Sequence, residues 1–442
     1  MTDPTSSPRK PGPLAARVTD KTSRRDFFAR STMALGGTVG LGGSIATPAV
    51  HAFGSDCLRI GVIGCGARGR GATIEALQTA DGASSPDGSP NSAGGVKLVA
   101  MADLLGNQLQ TAFRTINGRF GDRVDVGNRR FVGIDAWRGV LASDLDLVIL
   151  ATPPAFRPAH FEAAVAAGKH VFMECPVATD MPGVRRVLDA SGIARERGLA
   201  VAAGSQRRYE ARTRDCVAKL QDGMIGDLVY ARTYINATPP VRSNALANAS
   251  KGNPSSLEFQ LRNWKAFPWA SGDFVDDRHL HSLDCLNWVL GQTPLSAHGF
   301  GGSQEDASGC TGVGTNRCLD HQLIELAYSN DFRAICQCRH SRDHSRQSGE
   351  HFHGTLGSCD LSRAMIRDRS GKVIWQSEAK EIPGKGWRRQ FNELVADLRE
   401  GRRPNDVERA TAATTTAILG RMAVRSGNVV SWDDVQSCNE TV

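Results

Sequence analysis

Short apolar runs separated by helix-length stretches set the organisation of this chain. Leu58 to Ile63, Val96 to Ala102, Leu145 to Ala151, His170 to Glu174 and Leu199 to Ala203 have the length and composition of strands buried on both faces. Between them, His160 to Ala167 and Met181 to Gly198 have helical periodicity, the second with Pro182 in its first turn, where a missing N–H does no harm. Strands and helices alternating in this way predict a parallel sheet with right-handed crossovers. From Leu228 onward the order changes. Leu228 to Ile235, Gln322 to Tyr328 and Phe332 to Cys338 have strand composition, and Phe391 to Leu398 and Ala410 to Val424 follow with helical spacing. Strands first and helices last predict a second layer of α+β type, so the fold class is α/β in two domains.

The first run ends in Gly64-Cys65-Gly66-Ala67-Arg68-Gly69, the spacing G-x-G-x-x-G between a strand and a helix. A dinucleotide pyrophosphate fits such a turn: the first glycine allows the bend, the second lets backbone approach the phosphates, and the third lets helix pack closely on strand. Free N–H groups at the helix start complete the anion site. With 47 glycines in the chain the pattern alone is weak, and its context carries the reading. The second strand ends at Asp103, where a carboxylate binds an adenosine ribose diol and repels a 2′-phosphate, favouring NAD over NADP. The alternative for Asp103 is a cap on the next turn. Asp81 to Gly95 is Gly/Ser/Pro-rich and reads as a solvent-exposed insertion; without it, Asp103 lies close to the usual ~20 residues from the turn. Thr152-Pro153-Pro154 and Glu174-Cys175-Pro176 sit at the C-terminal ends of their strands, where ligands of open α/β sheets bind. Thr152, Pro153, His160, Glu174 and Gln206 join the cofactor set, and Arg207 and Tyr209 are assigned to substrate.

Residues 1–52 change the picture of where the chain works. Ser23-Arg24-Arg25-Asp26-Phe27-Phe28 resembles a twin-arginine export signal, followed by a weakly apolar run from Thr32 to Ala46 and small-residue cleavage spacing at Val50-His51-Ala52. The alternative is an arginine pair beside a short buried helix. The run is too short and glycine-rich for a stable membrane span. Export through this route carries folded proteins, hence a periplasmic or other exported destination with cofactor loaded beforehand. Of the 442 residues, 390 then remain, enough for two substantial cores: 53–205 and 206–442. Net charge falls from +7 to about +3, because the leader holds seven Lys/Arg and three Asp/Glu, which argues against nucleic acid as partner. All 11 cysteines follow the leader, and Cys310 with Cys318 is a candidate disulfide.

In these motifs the chain resembles the glucose-fructose oxidoreductase/inositol dehydrogenase (Gfo/Idh/MocA) family. The resemblance rests on the glycine turn, Ala151-Thr152-Pro153-Pro154 with His160, Gly168-Lys169-His170-Val171 leading to Glu174-x-Pro176, and Asp277-x-x-x-His281-x-x-Asp284. Ala417-Ile418-Leu419-Gly420-Arg421-Met422-Ala423 and Val430-Ser431-Trp432-Asp433 look like the closing segments of exported members. The family implies an N-terminal Rossmann domain, a C-terminal α/β domain with an open, mostly antiparallel sheet, and pairing through that sheet into a homodimer or larger.

The chemistry is expected at Asp277, His281 and Asp284. On a regular helix, positions i, i+4 and i+7 share one face, so two acids would flank an imidazole able to take a hydroxyl proton near neutrality. The alternative is an acid at a helix start with a satisfied core histidine. In the family the matching Asp and His are substrate and proton-transfer residues. One departure stands out: the usual Glu-Lys-Pro reads Glu174-Cys175-Pro176, and cysteine has neither the reach nor the charge of lysine. Cys175 is read either as a small filler or as a thiolate whose pKa some cation lowers. Trp264 and Trp269 offer flat faces to a sugar ring, beneath a loop from Thr238 to Pro254; the alternative for both is core packing. Cys336, Cys338, His340, His344, His351 and His353 invite a metal reading, but their spacing fits no zinc module, so none is assigned. Three activities remain: an NAD-dependent oxidoreductase acting on a sugar or polyol, a glycoside-cleaving relative that retains NAD, and a non-catalytic carbohydrate-binding protein.

Overall fold

The computed structural model describes residues 57–79, 95–237, 256–303, 318–340, 345–380 and 385–442. The leader, nearly all of the 81–95 insertion, the 238–254 loop, Cys310 and His344 lie outside the described residues.

The first sheet has the strands β1 (Leu58–Ile63), β2 (Val96–Asp103), β3 (Arg130–Val132), β4 (Leu147–Leu150), β5 (His170–Met173) and β6 (Val201–Ala203). Their spatial order is β3-β2-β1-β4-β5-β6, and every pair is parallel. The order reverses between β1 and β4, which opens a crevice at the C-terminal strand ends. Two apolar layers hold the sheet: Ile60, Leu98, Leu147 and Phe172 on one face, Ile63, Val148, Phe161 and Met173 on the other. The helix Met181–Glu196 starts where expected because Asp180 accepts from the Gly183 N–H at 2.8 Å and Pro182 occupies its first turn. β3 was not expected, since its Arg-Phe-Val sequence is short and largely solvated.

The second sheet has nine strands: β7 (Leu228–Ala237), β8 (Ser296–Gly302), β9 (His321–Ala327), β10 (Arg333–His340), β11 (Gln347–Gly354), β12 (Gly357–Asp360), β13 (Met365–Asp368), β14 (Val373–Gln376) and β15 (Val430–Ser431). Their order is β14-β13-β12-β11-β7-β10-β9-β8-β15, antiparallel throughout except for β7 beside β10. Alternation decides its two faces: Ala231, Thr233, Cys336, Cys338 and Phe352 point into the core against the helices Leu280–Leu290 and Val407–Ser426. The other face carries Tyr230, Arg232, Tyr234, Gln337, His351 and His353 beside Leu323, Ile335 and the exposed Phe300, a mixture of polar, aromatic and aliphatic side chains.

The two halves interlock past residue 205. Phe391, Leu394, Val395 and Leu398 of the helix Lys385–Arg399 fill the first sheet's core, with Phe391 stacked on Phe172 at 4.3 Å. The following segment runs along β6: Val201 donates to Pro404 at 2.8 Å and accepts from Asp406 at 2.9 Å. The helix Val407–Ser426 places Val407 and Ala410 in the first domain's core and Ala417 to Val424 in the second's.

Candidate functional site

Chain geometry at the end of β1 is dictated by its glycines. Gly64 has φ +93°, and a Cβ there would lie 2.7 Å from the Ala151 carbonyl carbon, so only glycine fits. Gly66 has nothing within 4 Å of where its Cβ would be, leaving backbone facing open space. The helix Ala67–Gln78 starts directly after it with no side-chain cap, so its first-turn N–H groups are available to an anion. Asp103 closes β2: its carboxylate accepts from the Cys65 N–H at 2.6 Å and the Leu105 N–H at 2.7 Å. Burial pushes its pKa up while both N–H groups pull it down.

Gly64, Gly66, Asp103 and Leu105 line a cavity of about 180 Å³ with Thr152, Pro153 and His160. Its far wall comes from the other domain, through Leu261, Arg262 and Trp264. Trp264 therefore faces the dinucleotide cavity, where the sequence reading had given it to a sugar. Trp269 belongs to the core: it is 5% exposed, packs edge-on to Phe156 and donates to Gln260 at 2.9 Å. His160 sits 3.2 Å from Thr152 Oγ1 between Trp137 and Phe156, and burial lowers its pKa to about 3, so it stays neutral. A bend only glycine can make, an open backbone beside a free helix start, and a carboxylate at the β2 tip fit an NAD molecule's pyrophosphate and ribose.

At the end of β5, Glu174 accepts from Arg68 Nε at 2.6 Å, tying the glycine turn to the next strand but one. Cys175 follows, its sulfur 3.9 Å from Ser205 Oγ. Burial, and secondarily Asp284, push its thiol up to about 12, so the thiolate reading is set aside and Cys175 is a neutral filler. Behind it Arg157 is buried, donates to the Pro176 carbonyl, and has its pKa lowered by desolvation. The sequence reading missed it.

The segment carrying Asp277 and His281 departs from a regular helix. Val275–His279 is a π turn and the α-helix proper begins at Leu280, so the expected i, i+4, i+7 face is broken by the wider turn. Asp277 pairs with Lys265 at 2.8 Å. Asp284 accepts from Nη2 and Nε of Arg208 at 2.8 and 2.9 Å and is 1% exposed. His281 has its Nδ1 buried without a hydrogen-bond partner. Burial lowers its pKa, while Asp284, Glu174 and Asp277 pull it upward and Arg207 pushes it down. Beneath the π turn, Arg421 pairs with Asp276 at 3.0 Å and Arg425 with Asp273 at 2.8 Å.

Two substrate assignments look different in place. Arg207 pairs with Glu350 at 3.0 Å, and Tyr209 Oη donates to Asp406 at 3.1 Å and accepts from Arg409 at 2.7 Å, so both are committed to the protein, whereas Arg208, not singled out, orients Asp284. Gln206 opens the short 3₁₀ helix that carries all three. In the His/Cys-rich stretch, Cys336 and Cys338 point into the core, His351 stacks on Tyr234 and His353 lies against Tyr230. Among the described residues no three His, Cys, Asp or Glu side chains group as metal ligands.

Residues 58–205 match the family GFO_IDH_MocA, described as an oxidoreductase family with an NAD-binding Rossmann fold. Inositol 2-dehydrogenase of Acidiphilium cryptum is 27% identical over 240 residues, 54% of this chain and 56% of that protein. Inositol 2-dehydrogenase of Agrobacterium fabrum is 28% identical over 242 residues, again 54% and 56%. The chain thus spans about half the length of these curated relatives. Among solved structures, the aldose-aldose oxidoreductase of Caulobacter crescentus complexed with glycerol superposes with a TM-score of 0.63 at 17% identity, covering 85% of this chain and 99% of that one. Scyllo-inositol dehydrogenase of Lactobacillus casei with bound NAD(H) and scyllo-inositol gives 0.61 at 18%, with the same coverage. At these identities the likeness is one of fold: a Rossmann domain followed by a mostly antiparallel sheet domain.

Proposed function

We propose that this chain is a Gfo/Idh/MocA oxidoreductase that uses NAD to oxidise or reduce a carbinol carbon of a polyol or sugar. The observation that carries the reading is His281: a neutral imidazole with an unpartnered Nδ1, within electrostatic reach of Asp284, Asp277 and Glu174, the last of which pairs with Arg68 of the glycine turn. Gly64 to Gly69 and Asp103 would hold the cofactor's pyrophosphate and ribose, and NAD supplies the hydride acceptor when bound. The His281 imidazole then takes the proton of the substrate hydroxyl, and its lowered pKa keeps it in the accepting form at neutral pH. Asp284, fixed by Arg208, stabilises the imidazolium that results. Cys175 adds no charge and leaves the proton transfer to His281. The inositol dehydrogenases among the relatives favour a cyclic polyol or pyranose. No observation favours glycoside cleavage or binding without turnover.

Export through residues 23–52 and pairing through the open face of the second sheet belong to the same proposal. Both rest on sequence pattern and resemblance. The test is absorbance at the NADH band with purified protein, NAD and a panel of inositols, aldoses and aryl glycosides. NADH formation with a polyol or aldose is the expected result; released aglycone without net NADH would replace this reading with glycoside cleavage.

A further inference from the structure

The core of the second domain holds two sulfurs side by side. Cys216, on the helix Ala211–Gln221, and Cys359, on β12, are 0% and 2% exposed, and their sulfurs lie 3.3 Å apart. Among contacts between described residues, this one alone joins two sulfurs. Other buried cysteines differ: Cys65 donates to the Ala102 carbonyl, and Cys336 and Cys338 project two residues apart from the same strand, β10. A disulfide has its sulfurs about 2.05 Å apart, so closing this pair asks for an approach of only about 1.3 Å, within reach of small side-chain rotations.

We propose that Cys216 and Cys359 form a cross-link site, a disulfide that staples the helix Ala211–Gln221 to the sheet's outer strands. The oxidant is itself a disulfide, carried by a small thiol or a dithiol protein. One cysteine, as thiolate, attacks it and displaces a thiol; the second then attacks the mixed disulfide and displaces the other. Two S–H bonds are lost and one S–S bond forms, while two electrons and two protons pass to the oxidant, which leaves as two thiols. In the folded protein the two thiols are shielded, and burial together with their mutual contact holds the Cys359 thiol well above the usual range. The bond therefore forms while the chain is folding or opened, and once formed it resists reduction.

The test is refolding of the full chain from denaturant in a mixture of oxidised and reduced glutathione, alkylation of remaining thiols, and non-reducing peptide mapping. The expected product is two hydrogens lighter and yields a Cys216–Cys359 linked peptide. Because the closed loop spans 143 residues, the oxidised form should melt roughly 5–15 °C above the reduced form. Cys359→Ala should abolish that redox-dependent increment, and Cys216→Ala gives the same readout should the first variant fail to fold. Both sulfurs alkylated in correctly refolded protein, a link to different cysteines, or equal melting of the two forms would overturn the proposal.

Discussion

The glycine turn and the π turn sit on opposite domains and are built from opposite materials. Around Gly64 to Gly69 the backbone does the positioning, through a φ only glycine tolerates, a free helix start and two N–H groups on Asp103. Around His281 side chains do it, through buried pairs between Arg208 and Asp284 and between Arg421 and Asp276. A site made of backbone binds a ligand common to many enzymes. A site made of side-chain pairs can be retuned by single substitutions without altering the fold.

That division of labour is sharpest at His281. His281→Ala should lower turnover about 10²- to 10⁴-fold while leaving NAD affinity, read by fluorescence titration, unchanged; weakened NAD binding with intact turnover would erase the distinction. Next in size is Asp284→Ala, which strands the Arg208 guanidinium and should cost about 3–5 kcal/mol of stability in chemical denaturation. A loss under 1 kcal/mol on the same measurement would mean the π-turn side is not held by its ion pairs.

Asp276 gives the π turn a pH signature. Its folded pKa is raised to about 6 by burial, against the pull of Arg421. The protonated form is thus favoured by folding, so its contribution is complete below about pH 3.9 and is lost as pH rises through 6, by roughly 1.4 kcal/mol per unit. Asp276→Asn should flatten the change in denaturation midpoint between those limits, and an unaltered profile would refute the assignment. On the backbone side, Asp103→Ala should weaken NAD about tenfold, ~1.4 kcal/mol, and narrow the preference over NADP; calorimetric titration of both cofactors decides it. Smallest of all, Cys175→Ser should keep kcat within tenfold, a barrier change under ~1.4 kcal/mol, because the thiol it replaces is already neutral.

How much of this could be read from the sequence follows the same line. The parallel sheet, the glycine bend and Asp103 were legible because each requirement is local: a run of apolar residues, a residue without Cβ, an acid at a strand tip. Arg208 was not, since it meets its partner 76 residues away. The π turn escaped because an added residue in a helical turn leaves no mark in a pattern that still reads Asp-x-x-x-His. Six strands of the second sheet were missed: β8, β11 and β12 because polar and glycine residues leave too few apolar ones to register, and β13 to β15 because they are only two to four residues long. That Trp264 lines the same cavity as Gly64 and Asp103 was not legible, because sequence cannot tell which side of a cleft a loop reaches.

The return of residues 385–410 to the first sheet bears on how the protein can be taken apart. Cut at 205, a gene fragment would encode all six parallel strands yet leave β6 as a bare edge, its hydrogen-bonding groups no longer covered by Pro404 to Asp406. Phe172 would lose Phe391, exposing an aromatic hollow beside that edge. Unpaired strands next to apolar surface recruit other chains, so such a fragment is a recipe for aggregation. A soluble cofactor-binding module would instead need the downstream segment grafted back by a linker, making this a domain that is discontinuous in the gene.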